Sequence, residues 1–269
     1  MSAVLARHSF AAASKFIQEV FWRAYWKGWL ELRPAVWRDY RRRLEVLSAE
    51  LERDSNLRLR WEEAEGGSTG ITCFDAWVDE LTKTGYLHNH ARMWFASIWI
   101  FTLKLPWELG ADFFLRNLLD GDPASNTLSW RWVAGLQTKG KTYLARAENI
   151  AKFTENRFNP TSGLSSIANP LPGPSVPALK VPPSNFSWDC TIPTGLLTTE
   201  DDLSPDFVLS KAPSLQAAVL IRATEYRSAL NLSPKVFSFV DGALADTRSR
   251  LRSKLENVSE IARGAQAID

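Results

Sequence analysis

Twelve tryptophans stand in a chain of 269 residues, and eleven of them precede residue 133. An indole ring can fill a helical core, stack on a planar ligand or pass an electron, and composition alone favours the core. Asp122-Pro123 has the form of a helix start, with Asp as N-cap and Pro at the first helical position. The two cysteines, Cys73 and Cys190, are too few for a disulfide framework or a four-thiolate cluster, which suits a reducing cytoplasm.

The elements that must hold these residues are helical. Hydrophobic content of 45% and charged content of 23% are ordinary for a globular chain, and a net charge of +2 leaves any nucleic-acid face to a local patch. No run reaches the eighteen or so apolar residues of a membrane span. The opening Met1–Phe16 is Ala/Ser-rich without an acid, as in a transit peptide, but its pattern continues unbroken into Gln18-Glu19-Val20-Phe21-Trp22-Arg23, which reads as core structure.

Apolar spacing predicts helix through residues 10–65, interrupted at Arg33-Pro34, with a second helix from Val36 to about Leu57. Further helices are expected over 72–83, 87–104 and 107–119, then from Pro123 onward, so that residues 1–158 form one all-α unit. Eight prolines fall in 160–200, and 159–203 reads as a linker or extended wrap. Residues 204–269 are expected to be helical or a small α/β segment. A helix-like stretch covers 214–230 and a last helix starts at Ser233-Pro234, although Val236–Val240 also suits a short strand. The alternating Arg248, Arg250, Arg252 and Lys254 suit a solvated helix face better than a binding patch.

Four collinear motifs give the chemistry a name. Gln18-Glu19-Val20-Phe21-Trp22-Arg23 is followed by Thr69-Gly70 with Phe74-Asp75-Ala76. Then come Thr84-Gly85-Tyr86-Leu87-His88-Asn89-His90-Ala91-Arg92-Met93 and Leu105-Pro106-Trp107. Last is Leu118-Leu119-Asp120-Gly121-Asp122-Pro123-Ala124-Ser125-Asn126, with Trp130-Arg131-Trp132. In order and spacing, over about residues 16–135, this resembles the FAD-binding helical domain of the photolyase/cryptochrome family.

The resemblance implies a mainly α fold around FAD, with Asn89, Arg92, Met93, Asp120, Asp122 and Asn126 in the cofactor site. Asn126 would face the flavin N5, where a neutral amide can donate or accept. Asp120 and Arg92 would flank the isoalloxazine, and Asp122 its polar edge. Trp107 and Trp130 match the two inner tryptophans of an electron-hopping chain. The outermost has no match, with Trp61, Trp94 and Trp99 available. Glu19, Trp22 and Trp132 match residues that contact a flipped-out pyrimidine dimer in DNA. His90 stands where dimer photolyases usually carry arginine, and 139–144 also departs from the family. The cysteine count excludes the family's iron–sulfur branch.

Chemically, the resemblance implies repair of pyrimidine dimers by electron transfer from light-excited reduced FAD, with dimer-containing DNA as partner and neither membrane nor metal cluster. A cryptochrome-like sensor signalling to a protein, or a remnant interaction module without flavin, are the alternatives. The family's Thr-Ser-x-Leu-Ser-Pro-like phosphate segment has no counterpart in the fifteen or so residues before the Glu19 helix. Pyrophosphate needs such donors, so the chain as written is expected to bind FAD weakly or not at all.

Overall fold

The structure, a computed structural model, describes residues 2–174, 176–181, 189, 191–212 and 214–262. Cys190 lies outside them. Contacts divide the chain into two units. The first comprises Met1–Leu81, Leu87–Phe114 and Asp122–Pro182; the second comprises Thr82–Tyr86, Leu115–Gly121 and Pro183–Asp269.

The first unit is helical. A short α1 (Ser2–Leu5) precedes α2 (Phe10–Glu31), whose first turn is capped by Ser9 Oγ accepting from Ala12 N. Pro34 ends that pattern and occupies the first turn of α3 (Pro34–Arg53). The helix expected to run to Leu57 breaks at Asp54. That side chain accepts from the backbone N–H groups of Asn56 and Leu57, and so starts α4 (Ser55–Glu65) as a separate helix. Next come α5 (Thr72–Thr84) and α6 (Asn89–Ser97), the latter N-capped by His88 and passing into a π-helical turn at Ile98–Thr102. Lys104, with a φ of 54°, leaves that turn in the left-handed region. The final helices are α7 (Trp107–Asn117), α8 (Pro123–Val133) and α9 (Ala147–Phe153).

Five tryptophans, Trp77, Trp94, Trp99, Trp107 and Trp130, are buried in this core. Trp99 and Trp130 are fully buried with Phe74, Phe95 and Phe114. The Phe74 and Phe95 rings stack at 4.2 Å, and Trp77 stacks on Trp94 at 5.5 Å. One glycine is set by this packing. A Cβ at Gly110 would lie 2.3 Å from Cη2 of Trp130 and 2.9 Å from Trp99, both rings locked in the core. Gly110→Ala is therefore expected to lower stability by about 1–3 kcal/mol, the usual cost of overpacking, measurable by urea unfolding.

Part of the proline-rich stretch is held by backbone bonds. Leu171 N donates to Ala134 O at 3.0 Å, and Lys180 N donates to Leu32 O at 2.8 Å.

The second unit carries a parallel sheet in the order β1-β2-β3, formed by β1 (Thr194–Thr199), β2 (Leu215–Arg222) and β3 (Asn257–Ala262). A short α10 (Asp206–Leu209) lies between β1 and β2, and α11 (Pro234–Arg252) crosses from β2 to β3. One local expectation is corrected, and one open choice is decided for the helix. Residues 215–222, expected to be helical, form the middle strand, where Ala218 and Leu220 are buried and both edges are hydrogen-bonded. Residues 236–240 belong to α11, because Val236, Val240, Leu244, Thr247 and Leu251 share one buried stripe at helical spacing. Gly85 also falls in this unit, at φ 72°, where a Cβ would strike Leu119 Cγ at 2.6 Å, and its carbonyl accepts from Leu119 N. This contact fixes the loop that contains Asp120.

Candidate flavin site

The helix α8 positions the densest group of expected site residues. Asp122, Asn126 and Trp130 recur every four residues and so share one face. Asp122 is buried, its Oδ2 accepts from Ser125 N at 2.8 Å, and its Oδ1 lies 2.9 Å from Lys27 Nζ on α2. Burial would raise the Asp122 pKa. The Ser125 amide and the Lys27 ammonium outweigh that and hold it below the ordinary carboxylate range. Lys27 was not among the residues expected here; nothing in its local pattern reveals a partner ninety-five residues away.

Asn126 is 9% exposed, and its Nδ2 donates to Ala111 O at 2.7 Å. That bond orients the amide and leaves Oδ1 without a hydrogen-bond partner among the described residues. Thr127 Oγ1 and Trp130 Nε1 are buried and unpartnered. Buried polar atoms are nearly always satisfied. Two such atoms, Thr127 Oγ1 and Trp130 Nε1, lie within one turn of α8.

On α6, Asn89, Arg92 and Met93 fall on one face by their spacing. Arg92 Nε donates to Leu87 O at 2.8 Å, Met93 is half-buried and Asn89 is exposed. Asp120, exposed, belongs to the second unit. The Trp130 ring meets Trp99 edge-on at 6.2 Å and Phe114 at 5.1 Å. Trp107 is buried, with its ring 5.6 Å from Tyr40, and Tyr40 lies 5.2 Å from the half-buried ring of Trp37. Neither Tyr40 nor Trp37 was anticipated, since both are ordinary aromatics of an amphipathic helix in sequence. Of the three tryptophans left open for the outer position, Trp94 and Trp99 are buried in the core, and Trp61 donates to Glu65 Oε1.

Glu19 and Trp22 are both exposed, one turn apart on α2, and Trp22 stacks on Trp26 at 5.8 Å. Trp132, half-buried, packs against Tyr143 at 6.1 Å. Among the described residues no ring contact or hydrogen bond joins Trp132 to Glu19 or Trp22. His90 is occupied by an aromatic contact, its ring 4.7 Å from Phe153. Among the described residues, no helix is long and apolar enough to cross a membrane, and no three His, Cys, Asp or Glu side chains gather as metal ligands.

The α8 stripe thus sets a capping carboxylate, an oriented amide and one buried indole on a single face. Residues 16–162 match the model of the FAD binding domain of DNA photolyase, and the chain belongs to that family. Among its relatives is the deoxyribodipyrimidine photo-lyase of Streptomyces griseus, 39% identical over 124 residues, which are 46% of this chain and 26% of that protein. The enzyme of that name from Escherichia coli is 31% identical over 134 residues, 49% of this chain and 27% of the relative. That from Thermus thermophilus is 34% identical over 137 residues, 49% and 30% respectively. The chain thus spans between a quarter and a third of the length of these relatives.

The family's cofactor is FAD. The residue that fits its flavin end is Asn126, whose amide is oriented by Ala111 O and keeps an oxygen able to accept an N–H.

Proposed function

We propose that this chain forms the flavin-holding part of a photolyase-like enzyme, which repairs pyrimidine dimers in DNA by light-driven electron transfer from reduced FAD. The observation that carries the reading is the α8 stripe of Asp122, Asn126 and Trp130, with its orphaned polar atoms, inside the segment shared with photolyases. FAD, when bound, supplies light absorption and one-electron chemistry.

The protein's own residues would do the rest. Asn126, held by the Ala111 carbonyl, presents an oxygen that accepts a ring N–H and adds no charge. Asp122 neutralises Lys27 and fixes the start of the helix that bears Asn126. Asn89, Arg92 and Met93 offer one face of α6 to the cofactor. Trp130 and Trp107 are the oxidisable rings, with Tyr40 and Trp37 carrying the series outward from Trp107. Glu19 and Trp22 form the exposed pair suited to a flipped-out base, the indole by stacking and the carboxylate by hydrogen bonding to the base edge. Trp132 is the second stacking ring of this reading.

The test is light-dependent loss of dimers from a thymine-dimer oligonucleotide mixed with the protein, FAD and a reductant. Trp22→Ala is expected to weaken binding of that oligonucleotide by about 1–3 kcal/mol, or about 5- to 150-fold, the usual loss of one stacking ring. Light-independent dimer levels, or a Trp22→Ala variant that binds as tightly as the parent, would count against the reading.

A further inference from the structure

The strongest feature outside the α8 stripe is a cavity of about 240 Å³ in the helical unit, with Arg131, Glu108, Trp107 and Tyr40 on its walls. Arg131 points away from the Trp130 stripe in sequence register, being one residue on along α8, and the flavin reading gives it no task. It is 8% exposed, its Nε is buried, and its guanidinium makes no hydrogen bond or ion pair to any described residue. A guanidinium is charged in any ordinary protein environment, and a nitrogen of it buried without an acceptor, as Nε is here, is costly. Such a group is retained where something completes it.

The surrounding charges do not complete it. Glu108 and Asp39 act on Arg131 through space, but neither lies within ion-pair distance among the described residues. Asp39 is exposed, so water screens it. Burial pushes the Glu108 carboxyl above its ordinary range, against the pull of Arg43 and Arg131. Arg43 is already bound to Glu50, with Nη1 to Oε1 at 2.9 Å and Nη2 to Oε2 at 3.4 Å. Arg131 is therefore the cationic group on the cavity wall with no bonded partner among the described residues.

The remaining walls set the shape of the partner. Trp107 and Tyr40 present rings tilted by 32° to one another, and Val36, Leu136 and Pro172 add apolar surface. A lone inorganic ion would leave these rings and methyl groups unused. We infer that this cavity binds a small aromatic carboxylate, its anionic head on the Arg131 guanidinium and its ring against Trp107 and Tyr40. A guanidinium accepts a carboxylate through two parallel hydrogen bonds, which matches a planar head to a planar donor. The inference is independent of the flavin reading.

The test uses the full 269-residue chain, titrated in turn with indole-3-carboxylate, benzoate and inorganic phosphate. The readout is the ¹⁵N–¹H signal of Arg131 Nε, assigned from its loss in Arg131→Lys. The two aromatic carboxylates are expected to shift that signal saturably, with phosphate at least about tenfold weaker, a difference of about 1.4 kcal/mol. Arg131→Met is expected to abolish calorimetric binding of indole-3-carboxylate. Removing a buried arginine can unfold a chain, so the parent titration decides the matter without the variant. Phosphate binding as tight as that of the carboxylates would overturn the aromatic part, an unshifted signal would overturn the site, and a folded Arg131→Met that still binds would overturn the role of Arg131.

Discussion

Replacing Trp130 by phenylalanine is expected to slow the photoreduction of added FAD by at least about tenfold, equivalent to about 1.4 kcal/mol on the barrier. The indole is 2% exposed, stands one turn beyond Asn126 on the same face of α8, and keeps its N–H unpartnered. A phenyl ring fills much of the same volume but is far harder to oxidise, so the packing is largely kept while the electron source is removed. The lost volume should cost about 1–3 kcal/mol of stability, which urea unfolding separates from the electron-transfer effect. Trp94→Phe is the control, since Trp94 is equally buried but stacks on Trp77 and has no place in the matched chain. Its photoreduction rate should equal the parent's. Equal rates in Trp130→Phe would remove Trp130 from the electron path.

Asp122→Ala is the second large effect, and it is read in stability. The substitution removes an N-cap, worth about 1 kcal/mol, and strands Lys27, whose side chain is 39% exposed and therefore partly rescued by water. A partly buried broken pair adds about 1–2 kcal/mol, less than the full cost in a dry core. The sum expected is about 2–3 kcal/mol in urea unfolding. Because the Asp122 pKa is lowered in the folded chain, its contribution is fully present above the ordinary carboxylate range and is lost as pH falls through the folded value. The parent should therefore lose stability on acidification below about pH 4, and the difference from Asp122→Ala should shrink in that window. Asp122→Asn, which can still cap, should retain part of the loss at neutral pH. A difference between parent and Asp122→Ala that stays constant from pH 7 to pH 3 would show that the ion pair contributes nothing.

What could be read from the residues followed from how local the cause was. Asp122-Pro123 announced α8 to the residue, because an N-cap and a proline in the first turn need no partner elsewhere in the chain. Ser233-Pro234 announced α11 in the same way. The strand β2 was missed because Ala217–Leu220 carries no alternation: a middle strand of a parallel sheet is covered on both edges and partly on both faces, and its apolar run resembles a buried helix. The break at Asp54 was missed because α4 starts directly after it, with no glycine or proline between the two helices to mark a turn. In the flavin site, the motif order named Asn126 and Trp130, while Lys27, Gly110 and Arg131 became visible only when distant segments were packed together. Their roles are tertiary, and single residues of those types carry no local sign of them.

The account rests on a flavin held against α8, and titration of the purified chain with FAD tests it most directly. Saturable quenching of flavin fluorescence is predicted, at whatever affinity, together with a sharpened absorption band as the ring leaves water for a site beside Asn126. Asn126→Leu, which removes the free oxygen and the bond to Ala111, should weaken binding by about 1–3 kcal/mol, the cost of an unmet buried polar contact. A folded chain that shows no saturable change up to millimolar FAD would contradict the account.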